Sequence, residues 1–259
     1  MNNGLRKAIV EVAYKTGEGH IPSAFSILEI LSTLYGKFLH YDNKNPNWDG
    51  RDYFILSKGH GCLALYAILQ KYGFISESQL FEIDKSKRIL GGHPDCTKIP
   101  GVEASTGSLG HGLGIGLGIA LGLKIKQKNN RVIVLVGDGE CNEGTIWESA
   151  LVASNLNLGN LCVIVDNNKS SENVLPVPEP KKKWESFGWE VYEIGGHNEE
   201  KLLSVLNSLS FNCESKPKVI IADTIKGKGV SFIENNGIWH HKIPNLEELD
   251  KIEKELENE

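Results

Sequence analysis

Val132-Ile133-Val134-Leu135-Val136-Gly137-Asp138-Gly139-Glu140 and, further on, Leu161-Cys162-Val163-Ile164-Val165-Asp166-Asn167-Asn168 decide how this chain is read. Each stretch opens as an unbroken apolar run and ends in glycine or in oxygen-bearing side chains. A strand that is apolar throughout, instead of alternating, belongs to a parallel sheet covered on both faces. Val219-Ile220-Ile221-Ala222 is a third such run, and Tyr53-Phe54-Ile55-Leu56 a shorter one. Apolar residues at helical spacing fill the intervals: Leu5 to Tyr14, Ser26 to Leu39, Gly61 to Lys71, Glu143 to Leu156, Lys181 to Phe187 and Glu199 to Leu209. Strands alternating with helices predict an α/β fold, a three-layer α/β/α arrangement with a doubly wound, mostly parallel sheet. Ligands are expected where such strands end.

The 259 residues carry no repeat, low-complexity linker or composition break, so residues 1–259 are read as one domain. A net charge of −5 argues against a nucleic-acid partner, which wants a basic face. The single basic run, Lys181-Lys182-Lys183, reads as a solvated helix start. Five cysteines, odd in number and without a C-x-x-C pair, suggest neither a disulfide framework nor a zinc site. The first residues show no secretory signal. The longest oily stretch, Leu109 to Leu123, is glycine-rich and shorter than the about 20 residues a bilayer span needs. A soluble protein of the cytoplasm, with no membrane partner, is the expectation.

Asp138 follows the first strand and Asn168 the second, 30 positions later. In a parallel sheet this brings a carboxylate and an amide oxygen to neighbouring strand ends. Magnesium takes such oxygen ligands and usually keeps phosphate oxygens among its six. Gly137 and Gly139 let backbone come close to a phosphate. The helix from Glu143 begins just beyond, with its positive end toward the same place. Alone, G-D-G is a turn and Asn-Asn a loop; the spacing and the buried strands make the pair specific.

The pattern resembles the thiamine-diphosphate signature, GDG followed some 30 residues later by NN. Glu143-Gly144, Trp147-Glu148 and Leu158-Gly159-Asn160-Leu161 extend the likeness toward transketolases and away from 2-oxo-acid dehydrogenases. Leu5 to Pro244 is similar to a transketolase N-terminal domain. Four of the eight histidines carry it, in Gly19-His20-Ile21-Pro22, Ser57-Lys58-Gly59-His60-Gly61, Gly91-Gly92-His93-Pro94 and Trp239-His240-His241. Single histidines are usually ordinary residues of core or surface. Four in glycine-flanked loops suit proton transfer or ligand binding near neutral pH. Ser105-Thr106-Gly107-Ser108-Leu109-Gly110 and Lys226-Gly227-Lys228-Gly229-Val230 also resemble family segments.

The resemblance implies thiamine diphosphate with magnesium, calcium or manganese as cofactors. It implies Asp138, Asn168 and the carbonyl of Ser170 as metal ligands. Gly107, Ser108, Leu109, Gly139, Glu140, Asn168, His60 and His240 are implied to contact the cofactor. His20, His60, His93 and His240 are implied to line the reacting centre, and Glu143 to link it to a partner chain. Three places depart from the family: Ile21-Pro22-Ser23-Ala24-Phe25 after His20, a shortened loop after Asn168, and His241 where glycine is usual.

In the family, a glutamate on a second domain switches the coenzyme's aminopyrimidine into its proton-accepting form. That pyrimidine-side domain is not in these 259 residues. The expectation is therefore one subunit of a split enzyme, or a piece of a longer one. It would pair with a transketolase-like C-terminal subunit, dimerise, and form a two-plus-two heterotetramer. The expected reaction moves a two-carbon ketol unit from a ketose, free or phosphorylated, to an aldose. The alternatives are a dihydroxyacetone synthase or deoxyxylulose-phosphate synthase type of enzyme, or a non-catalytic scaffold, against which the intact Asp138, Glu143, Asn168, His60 and His240 argue.

Overall fold

The computed structural model describes residues 2–172 and 174–258. Helices α1 (Asn3–Thr16), α2 (Ile21–Phe25) and α3 (Leu28–Thr33) lead to strand β1 (Tyr53–Leu56). Helices α4 (Cys62–Lys71), α5 (Glu77–Leu80) and α6 (His111–Ile125) precede β2 (Val132–Gly137), and α7 (Gly144–Asn155) joins it to β3 (Leu161–Asn167). Then come α8 (Pro180–Ser186), β4 (Glu190–Gly195), α9 (Glu199–Ser208), β5 (Lys218–Asp223) and α10 (Leu246–Asn258). The strand order is β1-β2-β3-β5-β4 and every pairing is parallel. The expected mostly parallel sheet is wholly parallel among the described residues.

Alternate residues of each strand enter two separate cores, which is what makes the fold three-layered. Ile133, Leu135, Ile164 and Ile220 pack with residues of α1 to α4, α9 and α10. Val132, Val134, Val163 and Val219 pack on the other face with residues of α6, α7 and α8. Both faces being covered is why the strands read as unbroken apolar runs. Glycine lets α6 lie close on the sheet: a Cβ at Gly116 would stand 2.5 Å from the Val134 side chain, and one at Gly112 2.4 Å from Ser57.

The short helices α2 and α5 went unread, and two further elements differ from the sequence reading. The span from Ser26 to Leu39 is not one helix; it breaks at Ile27, runs as α3 and ends in one wide π turn, Leu34–Phe38. Ile21 to Tyr35 are all buried, so no polar face marks where the helix stops. Strand β4, Glu190–Gly195, went unread because an edge strand only partly buried lacks the apolar run of its neighbours. The charged C-terminal segment is α10, whose Ile252 and Leu256 are buried against the rest. Its Glu255 accepts from the backbone and hydroxyl of Ser231 at 2.6 and 2.8 Å, which ties down the segment leading to His240.

Candidate active site

The register that pairs Gly137 with Asp166 sets the ends of β2 and β3 level. Asp138 and Asn168 therefore leave the sheet side by side. Asn168 donates its amide N–H to Asp166 at 2.8 Å and accepts from the Ser170 backbone at 3.1 Å through its oxygen. The Ser170 hydroxyl lies 3.5 Å from one Asp138 oxygen, and that of Ser171 3.3 Å from the other. Asp138, Asn168 and Ser170, the three residues expected at the metal, thus stand together, Ser170 through its hydroxyl and backbone N–H. One carboxylate, one amide oxygen and a serine suit a hard cation. Among the described residues no group of three or more His, Cys, Asp or Glu could hold a metal. Asn173, in the same loop, lies outside the described residues.

Beneath this corner Lys58 and Asp166 form a fully buried ion pair. Asp166 also accepts from Ser26, Thr224 and Asn168. Burial pushes its carboxyl up; the Lys58 charge and these hydrogen bonds outweigh that and hold it low. Glu140, expected against the cofactor, is buried. Its carboxylate turns inward, accepting from Ser57, from Gly110 N–H at 2.8 Å and from Gly137 N–H at 3.0 Å. Burial raises its pKa against these bonds. The Glu140 side chain clasps three loops, while Gly139 and Asn142 of the same turn line the cleft.

An open cleft of about 1200 Å³ lies at these strand ends, lined among others by Leu109, Gly139, Asn168, Ser170, Lys226 and His240. Beside it the histidines converge. The ring of His20 stands 5.4 Å from that of His60 and 5.2 Å from that of His240. His93 packs against Gly107, where an added Cβ would come within 3.3 Å of its ring. Burial, then the Lys58 charge, push His60 down to about 2. Burial, then His241, push His20 down to about 4. His240 is lowered by burial and by Lys226. These imidazoles are neutral at pH 7, and each offers one donor and one acceptor. Glu143 and Ser108 are exposed, each next in sequence to a residue of the cleft lining, and the Glu143 side chain makes no capping hydrogen bond to α7.

Three residues join the site that sequence reading had not assigned to it. Lys226 faces the cleft, lowered by burial and by Lys58, with Asp138 and Asp166 opposing. The Lys-Gly-Lys-Gly motif had signalled its loop and not its role. Ser23 leaves its hydroxyl buried without a hydrogen-bond partner, and so does His20 with Nδ1. Both orphaned atoms stand close to the site: Ser23 accepts from Lys58 through its carbonyl, and the His20 ring faces those of His60 and His240. His241 touches His20, a contact no spacing could reveal.

A cleft at the carboxyl ends of parallel strands, with an oxygen-lined corner that suits a cation and imidazoles beside it, is the arrangement expected of a diphosphate-binding α/β domain of the thiamine-diphosphate enzymes. Residues 1–256 match the family described as "Transketolase, thiamine diphosphate binding domain", and the chain belongs to that family. It is 40% identical over 259 residues to an apulose-4-phosphate transketolase component from Actinobacillus succinogenes, covering 98% of this chain and 93% of that protein. It is 36% identical over 263 residues to a 6-deoxy-6-sulfo-D-fructose transketolase subunit of a Clostridium species, covering 99% and 95%. Both relatives are named as single subunits of their transketolases. The crystal structure of Campylobacter jejuni transketolase superposes with a TM-score of 0.90 at 30% identity, over 98% of this chain and 42% of that one. This chain thus spans about two-fifths of that solved transketolase, and most of each relative named as a subunit. Thiamine diphosphate with a divalent metal ion is the cofactor of the family. No helix among the described residues is long and apolar enough to cross a membrane.

Proposed function

We propose that this chain, acting as one domain, holds the diphosphate and metal for a transketolase-like ketol transfer completed by a second subunit. The observation that carries it is the pairing of Asp138 and Asn168 at neighbouring strand ends, with Asn168 locked in orientation by Asp166. Asp138, the Asn168 oxygen and Ser170 would hold the metal, and the metal would neutralise the diphosphate charge. Gly139, Gly107, Ser108, Leu109 and Lys226 would line the cofactor. Bound thiamine diphosphate supplies the carbon nucleophile of the reaction. His60 and His240, neutral in this site, would donate to ligand oxygens, and His20 and His93 would hold or move a proton at the sugar's hydroxyls. Glu143, exposed beside the cleft, would meet the partner chain.

The two subunit relatives are named for sugars bearing a phosphate or a sulfonate. A ketose with an anionic far end is the substrate class we propose, its charge gripped by the partner. Self-association to a dimer, and a two-plus-two assembly with a transketolase-like C-terminal subunit, complete the reading, since closed two-fold symmetry is the commonest oligomer form. Five free thiols suit work in a reducing cytoplasm. The test is reconstitution with a C-terminal partner, followed by an assay of ketol transfer over phosphorylated, sulfonated and free ketoses. Transfer with none of them would overturn the proposal.

A further inference from the structure

His20 is nearly enclosed, 8% exposed, and its two ring nitrogens stand in different surroundings. Nε2 lies 2.8 Å from Nε2 of His241, with the ring centroids 3.9 Å apart and the planes at 55°. Nδ1 is buried and has no partner in the protein. His241 itself is exposed. The pair therefore joins an unsatisfied buried nitrogen, at one end, to water at the other.

We infer that His241 is a positioning residue that connects the proton of His20 to solvent, so that the buried imidazole can exchange which nitrogen carries hydrogen without becoming charged. Two imidazole rings whose Nε2 atoms lie at this distance share one hydrogen. In one arrangement His20 donates from Nε2 and its Nδ1 accepts; in the other His241 donates and Nδ1 of His20 carries hydrogen. A proton arriving at His20 Nδ1 is then balanced by the Nε2 proton passing to His241 Nε2. His241 releases its own Nδ1 proton to water, and the reverse sequence resets the pair. No electron pair or further reactant is needed.

The surroundings of His20 favour passing a proton on over keeping it. The ionisable groups that act on it are His241 and His240 on the closing segment, His93, and Lys226, with the His60 ring also in contact. All are neutral or positive, so a lasting imidazolium there is opposed from each side. A lone imidazole in that place could accept at Nδ1 only by charging. With His241 behind it, the ring can accept and donate together.

The inference rests on the proposed function only in calling this the reacting site; its test reads the histidine pair in the full chain by itself. With ring nitrogens labelled, NMR of the unaltered chain is expected to show coupling across the Nε2–H···Nε2 bridge. Absence of that coupling would overturn the inference without any variant. In His241→Gln the hydrogen bond to His20 can persist but no proton can pass. Exchange of the His20 ring proton with water is expected to slow by roughly tenfold or more, with His20 fixed in one tautomer. His241→Phe should remove the coupling altogether. Exchange at the unaltered rate in His241→Gln would reduce His241 to packing and overturn the relay. The cofactor reading fails on a different result, loss of metal-dependent diphosphate binding, and neither failure entails the other.

Discussion

Asp166 holds the amide of Asn168: the N–H donates to the buried carboxylate at 2.8 Å, which leaves the amide oxygen on the side of Asp138 and Ser170. The carboxylate in turn is held by Lys58, so one buried ion pair orients the amide at the proposed metal corner. Asp166→Asn keeps the shape but no longer dictates which amide atom faces outward. Metal-dependent cofactor affinity should fall by roughly 10–100-fold, as for other outer partners of metal ligands. Asp166→Ala leaves Lys58 charged and unpaired in the core, and should cost about 3–5 kcal/mol in a denaturant titration. Unchanged affinity in the Asn variant would show that Asn168 needs no such guide.

Asp138→Ala removes the one carboxylate of the metal corner. Its oxygens lie within 3.5 Å of the Ser170 and Ser171 hydroxyls, so nothing negative remains there to hold a cation. Calorimetry with thiamine diphosphate should give the same weak binding in magnesium as in chelator. The unaltered chain should bind far more tightly with the metal than without it. A variant that keeps the metal dependence would exclude Asp138 as a ligand.

What sequence could tell follows from what each signal depends on. The apolar runs at Val132, Leu161 and Val219 exist because both sheet faces are covered, and they gave strand, parallel pairing and site position together. Asp138 and Asn168 were legible for the same reason, standing just past the ends of those runs. β4 was not, since an edge strand that water reaches has no such constraint. The break at Ile27 was hidden because burial on every side erases periodicity. Lys226, Ser23 and His241 come to this region through contacts across distant segments, and the inward turn of Glu140 has the same cause: three separate backbone and hydroxyl donors capture its carboxylate.

Protonation of the buried histidines should limit stability in acid. Their folded pKa values, about 4 for His20 and about 2 for His60, lie below the ordinary 6.5. Below 6.5 the unfolded chain binds protons that the folded one refuses, so stability falls as pH falls. The window runs from 6.5 to about 4 for His20 and on to about 2 for His60. Each histidine should contribute a slope on the order of 1 kcal/mol per pH unit inside it. Glu29 adds to the lower part: burial raises its pKa, and the hydrogen bond from His197 with the Arg6 charge overcomes that to hold it at about 2, so its stabilisation is lost below 4.5. Urea midpoints measured from neutral pH downward should show the decline, and His60→Gln should flatten it. An equal slope in that variant would mean that His60 titrates normally.

Glu143 is exposed ahead of α7, and its side chain makes no capping hydrogen bond. Glu143→Gln should therefore change folding stability by no more than about 0.5 kcal/mol. If the carboxylate meets the partner's chemistry, activity of the assembled pair should fall by roughly 100-fold or more, the scale of a lost acid–base group. Thermal unfolding of the chain and turnover of the complex separate the two effects. Full turnover in the variant would leave Glu143 as a helix-end charge only.

The last expectation concerns the chain without its partner. The described residues gather the metal corner, Lys226 and the histidines, all of which suit the diphosphate end of the cofactor and its surroundings. The glutamate that would prime the aminopyrimidine is expected on the partner and not on this chain. Thiamine diphosphate should then bind here with metal and yet exchange its C2 proton slowly. Adding a transketolase-like C-terminal subunit should accelerate that exchange by roughly 100-fold or more, the range expected when a positioned acid–base group is supplied. Exchange followed by NMR, with and without the second subunit, measures this directly. Light scattering on the same samples should show a dimer of this chain becoming a two-plus-two complex. Rapid exchange and ketol transfer by the 259-residue chain alone would overturn the division of labour between two subunits.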